Sequence, residues 1–179
     1  VSNAIITVGG ALVGLLATLA VVLPWWRKGG KGGGPKGKGA EGAGGRNAKD
    51  LAHFGTGLAI GILSATCVGG ALGTIAHKVG GGSNMLGDRI LSFMTGAASP
   101  AVTRRSLNAL SPGGAVVLIL LLVGLVLVWR ASHRRIRKDL GLGVLAGCTL
   151  GPTAGLAGLA AVVLVPVVNT VGNYLVGML

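Results

Sequence analysis

Side chains able to act as nucleophiles, acids or metal ligands are few and scattered in this chain. They are Cys67 and Cys148, His53, His77 and His133, and the carboxylates Glu41, Asp50, Asp88 and Asp139. A thiol redox pair or a zinc site needs cysteines or histidines at short spacings such as CxxC. Here each cysteine stands alone inside an apolar segment with no histidine at ligand spacing, so both read as buried, inert thiols. The histidines fall near segment ends, where imidazole is usually an interfacial residue. Four carboxylates leave little material for general acid–base work, and none lies mid-way along an apolar segment where a proton relay or coupling cation would need it. No catalytic residue, no metal site and no cofactor is expected, and the chain reads as non-enzymatic.

The remaining chemistry is that of positive charge. Residues 27–50 read RKGGKGGGPKGKGAEGAGGRNAKD, a low-complexity, glycine-rich segment that cannot fold alone. Gly37-Lys38-Gly39-Ala40-Glu41-Gly42 satisfies GxGxxG by letter, but no strand precedes it and no βαβ unit follows, so it is no dinucleotide fingerprint. The Gly-Lys pairs also lack the Ser/Thr of a P-loop. What is left is a set of cations for phosphates: Arg27, Lys28, Lys31, Lys36, Lys38, Arg46 and Lys49, joined by Arg130, Arg134, Arg135, Arg137 and Lys138 in a second basic segment. Without base-reading geometry, these suit anionic lipid headgroups or the backbone of nucleic acid. Arg130, Arg134 and Arg137 would form one stripe if the preceding apolar segment continued as a helix.

The elements carrying these charges must be membrane-like. The 179 residues include 16 Lys plus Arg against 4 Asp plus Glu, a net charge of +12, yet 51% are hydrophobic, only 3% are aromatic and 35 are glycine. Mean hydropathy is +0.75, and the 11% of charged residues falls far below the roughly 25% of a soluble domain. The expected fold class is an all-α integral membrane protein, a polytopic helical bundle of about four transmembrane segments, with five possible, and one interfacial amphipathic helix.

Residues 1–26 form span 1, whose uncharged stretch Ala4–Trp26 is long enough to cross a core of about 30 Å. Trp25, Trp26, Arg27 and Lys28 supply headgroup anchors, and the segment lacks the flanks of a cleaved signal, so it is expected to stay attached. Residues 27–50 are the basic loop and 51–79 span 2. Residues 80–112 form an external loop in which Leu86, Ile90, Phe93, Met94 and Ala97 recur at helical spacing, the amphipathic helix of the fold class; a short lid on the spans is the alternative. Residues 113–129 are span 3, opened by Ser111-Pro112 as a cap and first-turn signal. After the basic segment 130–139, residues 140–179 carry no charge and as one helix would measure about 60 Å, twice the core. They are expected to form a long or broken element, kinked at Pro152 and Pro166, or a hairpin near Gly155–Gly158.

The two basic loops hold twelve Lys and Arg, against four (Lys78, Arg89, Arg104, Arg105) in the intervening external region. The positive-inside rule then makes both loops cytoplasmic and the N-terminus external, with localisation in the cell membrane.

Gly143, Gly147, Gly151 and Gly155 recur every fourth residue along one helix face, and Gly57/Gly61, Gly69/Gly73 and Gly10/Gly14 are shorter versions. Such ridges let another backbone approach closely, within one chain or between copies. Asn169 and Asn173 share a face of the apolar tail and suit hydrogen bonds across an oligomer, a wet lumen or a cap near the surface. Together these features predict a homo-oligomer in the lipid bilayer, pore-forming or accessory to DNA translocation in a phage or conjugative element, with a larger membrane or virion assembly as a further partner. A holin-like, membrane-permeabilising protein is the alternative reading, and a small transporter subunit a third.

Overall fold

A computed structural model describes residues 6–29, 48–67, 69–102, 109–153 and 155–178. Ser111 shows how sequence starts a helix here. Its backbone is extended (φ −70°, ψ 161°), its hydroxyl accepts from the Gly114 amide, and Pro112 occupies the first turn, where a missing N–H costs nothing. Among the described residues six helices form: α1 (Val8–Gly29), α2 (Ala48–Ala65), α3 (Gly70–Thr95), α4 (Pro112–Ala131), α5 (Arg134–Leu150) and α6 (Leu156–Gly177). Three stretches, Val8–Arg27, Pro112–Ala131 and Gly158–Gly177, are long and apolar enough to cross a membrane, and the bent pair α2–α3 makes up to four.

Large apolar side chains lie mostly outside and small residues inside. Leu15, Leu16, Leu120, Leu127, Val163 and Phe93 are exposed, whereas the buried face of α3 is Gly73, Ala76, Gly80, Ser83 and Gly87. Water would drive the opposite arrangement; packing by small residues with large ones turned outward is how helices associate in lipid. Hydroxyls inside helices are satisfied locally, as when Ser64 and Thr149 donate to the carbonyls of Ile60 and Leu145 at 2.8 and 2.9 Å. Among the described residues no buried side-chain oxygen or nitrogen lacks a partner.

Two boundaries differ from the sequence reading. Span 2 is not one helix over 51–79: α2 ends at Ala65, and α3 leaves it at 108° from Gly70, whose φ of +75° a side chain would resist. The external loop of 80–112 is helical as far as Thr95, because Gly80–Gly82 do not break α3. Gly80 packs beside Ile6, and the helix ends only at Gly96 in the left-handed region (φ +66°). The amphipathic stretch is therefore the second half of α3. Span 3 coincides with α4, and it does not run on into the basic segment, the condition for a stripe of Arg130, Arg134 and Arg137. Ser132 and His133 are extended (φ −89° and −69°) and α5 starts afresh at Arg134, so Arg130 shares no helix with Arg134 and Arg137. In the tail the chain breaks at Gly151-Pro152-Thr153, whereas Pro166 sits inside α6 without ending it.

Candidate functional site

The glycine ridges are used within the chain. α2 and α5 run parallel, and a Cβ on Gly57 or Gly61 would strike the carbonyl oxygen of Leu140 or Val144. Reciprocally, a Cβ on Gly143 or Gly147 would strike that of Phe54 or Leu58. The neighbouring amides stand a little further from such a Cβ: 3.2 Å from one on Gly57 to the Val144 nitrogen, 2.9 Å from one on Gly143 to that of Leu58. Cys148 lies in this seam, its thiol 3.5 Å from the Gly61 carbonyl oxygen. Gly151 ends the ridge against Ile62. Gly155 meets only Thr153, Gly69 meets nothing within 4 Å, and Gly73 packs on Cys67 of the preceding turn, so these three do not join the seam. Gly14 faces Thr149 and Leu150 of α5, while Gly10 faces Asn84 of α3.

The exchange of equivalent contacts across the seam extends to the whole chain: α1–α3 and α4–α6 repeat one another. At the start of α1, the Thr7 amide donates to Asn84 Oδ1 (3.1 Å), the Thr7 hydroxyl to Asp88 Oδ1 (2.6 Å), and the Gly10 amide to Thr7 Oγ1 (3.2 Å). At the start of α4, the Ser111 amide donates to Asn169 Oδ1 (2.9 Å), the Ser111 hydroxyl to Asn173 Oδ1 (3.1 Å), and the Gly114 amide to Ser111 Oγ (3.1 Å). Glycines permit both clasps. A Cβ on Gly87 would land on the Gly9 carbonyl, and one on Gly172 on the Gly113 carbonyl. Asn169 and Asn173 thus serve the N-cap of α4 in their own chain, and Asn169 Nδ2 also donates to the Ala109 carbonyl at 3.3 Å. The first half adds a strap in which Ser99 Oγ accepts from the Gly9 amide (2.9 Å) and Ile6 and Val102 are hydrogen bonded through their backbones (2.8 Å). The repeat escaped the sequence reading, although its signature is visible: Thr-x-Gly-Gly at 7–10 with Ser-x-Gly-Gly at 111–114, Asn-x-x-Gly-Asp at 84–88 with Asn-x-x-Gly-Asn at 169–173, and Gly-x-Gly-x-x-x-Gly at both 55–61 and 141–147.

Because α2 and α5 are parallel and in register, both start at one end of the molecule, where the basic segments lead into them. Arg27 is exposed at the end of α1, and Arg130, Arg134 and Lys138 are exposed around the turn from α4 to α5. Arg137 is half-buried, and its guanidinium bridges that turn: Nε donates to the Ser132 carbonyl (2.9 Å) and Nη2 to that of Arg130 (3.0 Å), satisfying carbonyls that the end of α4 leaves open. Lys31, Lys36, Lys38 and Arg46 lie outside the described residues, as do the side chains of Lys28, Lys49 and Arg135. Among the described residues no three His, Cys, Asp or Glu side chains gather at metal-binding distance. The arrangement provides a cationic end on an apolar body, which can bind anions. Compared with known protein families, with curated proteins and with solved structures, the chain matches none of them.

Proposed function

We propose that the chain is a non-enzymatic integral membrane protein whose cationic end holds anionic lipid headgroups at one surface of the bilayer. The observation that carries this reading is where the charges sit. Arg134, Arg137 and Lys138 occupy the first turns of α5, where the helix macrodipole already places positive charge and each added cation costs about 0.3–1 kcal/mol. Cations so placed do not stabilise the helix; a bound polyanion offsets the cost and takes up the amides of the helix start. The repeat supports a topology for this arrangement. Two halves related by an axis along α2 and α5 enter the membrane in the same sense, so both basic segments share one face and both termini the other. The positive-inside rule makes the basic face cytoplasmic.

Nucleic acid as the anion, and a pore for DNA or solutes, are the competing readings. The seam on the molecular axis is closed backbone to backbone, so a passage would have to be built between copies.

The test is thermal stability of the full chain in nanodiscs. Discs containing phosphatidylglycerol are expected to raise the unfolding midpoint over discs of phosphatidylcholine. The rise should shrink with added salt and with Arg134→Gln plus Lys138→Gln. Stabilisation by duplex DNA in wholly zwitterionic discs, with none from phosphatidylglycerol, would overturn the reading in favour of nucleic acid.

A further inference from the structure

The turn from α4 to α5 borders an open groove of about 430 Å³ lined by Trp129, Arg137, Lys138, Gly141, Leu142 and Leu145, within the roughly 300–1,000 Å³ of small-molecule sites. Its two ends differ in chemistry. Trp129, Leu142 and Leu145 make an apolar wall beside α4, which is long and apolar enough to cross a membrane. Arg137 and Lys138 line the groove chiefly through their aliphatic stems, whose charged ends lie beyond that lining. Glycine at 141 keeps the groove open, since even a Cβ there would sit 3.3 Å from the Trp129 ring and a longer side chain would fill the space. Arg137 is held in place by its bonds to the Ser132 and Arg130 carbonyls, so its charge is positioned before any ligand arrives.

Gly55 holds the place of Gly141 in the repeat but has nothing within 4 Å, and Leu51 and Ala52 stand where Arg137 and Lys138 do. A second groove of about 390 Å³, lined by Leu72, Ile119, Leu122, Val123, Val126 and Leu127, is wholly apolar.

We propose that this groove binds one anionic phospholipid, an acyl chain lying along Trp129, Leu142 and Leu145 and the phosphate meeting Arg137 and Lys138. The proposal rests on the reading of the cationic end as a lipid-binding face and narrows it to a single saturable site. Native mass spectrometry of the full chain, released from detergent with phosphatidylglycerol or phosphatidylcholine, tests it. One phosphatidylglycerol per chain is expected to be retained in preference to phosphatidylcholine. Lys138→Gln should weaken retention about fivefold, the worth of one basic residue at an anionic headgroup, and Lys138→Arg should restore it. Gly141→Leu should abolish it, while Val123→Trp in the uncharged groove leaves it intact. Anionic lipid that accumulates without saturating at one per chain and ignores Gly141→Leu would overturn the groove while leaving the general face standing. Equal retention of the two lipids would overturn both.

Discussion

Gly147→Ala and Gly82→Ala are the same chemical change in two helices, and the structure gives them opposite signs. Each removes a glycine from a helix interior, which by itself gains about 0.5–1 kcal/mol through reduced backbone entropy of the unfolded chain. At Gly82 nothing lies within 4 Å of the new methyl group, so the gain is realised. At Gly147 the methyl would fall on the Leu58 carbonyl and lie 2.8 Å from the Ile62 amide nitrogen. Both are backbone atoms of α2 that cannot turn aside as a side chain would. Overpacking a tight contact costs about 1–3 kcal/mol, and a backbone wall sets the cost toward the upper end. The expected net effect is a loss of about 2 kcal/mol at Gly147 against a gain of up to about 1 kcal/mol at Gly82. Reversible unfolding of the two variants in mixed micelles, titrated with a denaturing detergent and followed by helical ellipticity, measures the difference. Equal stabilisation by both would show that α2 and α5 are not in backbone contact, and the parallel register of the halves would fall with it.

Three further outcomes follow from the same geometry. Asn169→Ala removes the acceptor of the part-buried Ser111 amide and should cost about 1 kcal/mol through the lost hydrogen bond, whereas Asn173→Asp, which copies the Thr7–Asp88 clasp of the first half, should cost far less in the same assay. In a Cys67→Ala, Cys148→Ala background, single cysteines at Lys36 and Arg134 should react with an impermeant maleimide only from the cytoplasmic side and one at Met178 only from outside; labelling of 36 and 178 from one side refutes the parallel repeat. Trp26 and Trp129, exposed at the ends of α1 and α4, should be quenched most by lipids brominated close to the headgroup; strongest quenching by bromines near the bilayer centre would refute placing the cationic end at the surface.

The all-helical class and the three long apolar stretches were legible in the sequence because uncharged runs of about 20 residues have few other physical solutions. The Ser111-Pro112 start was legible because its chemistry is local. The glycine ridge was visible as a ridge, but whether Gly147 meets a second copy or Leu58 of its own chain depends on register, which spacing alone does not encode. The end of span 2 at residue 79 misled for a different reason: the apolar run stops there, but α3 continues through Gly80–Gly82 as far as Thr95. The clasp residues were noticed singly, Asn169 and Asn173 on one face and Asp88 off another, because each hydrogen bond joins residues far apart in the chain. Comparing the two halves with each other, and not only each segment with a template, would have aligned Asn84 with Asn169 and exposed the repeat.

Apart from the Cys148 thiol, a weak donor to the Gly61 carbonyl, a seam built from glycines at every fourth position on both of its helices has no side chain to mark its place. A slide of α5 along α2 by one helical turn, about 5.4 Å, would bring Gly147 to the Phe54 carbonyl and Gly151 to that of Leu58, presenting a hydrogen again wherever a backbone oxygen stands. Along this line the fit repeats with the helix pitch, as on a ratchet. The pawl lies elsewhere, where Gly14 of α1 seats against Thr149 and Leu150, a contact that a slide of one turn would move onto Thr153 and the proline-containing break after α5.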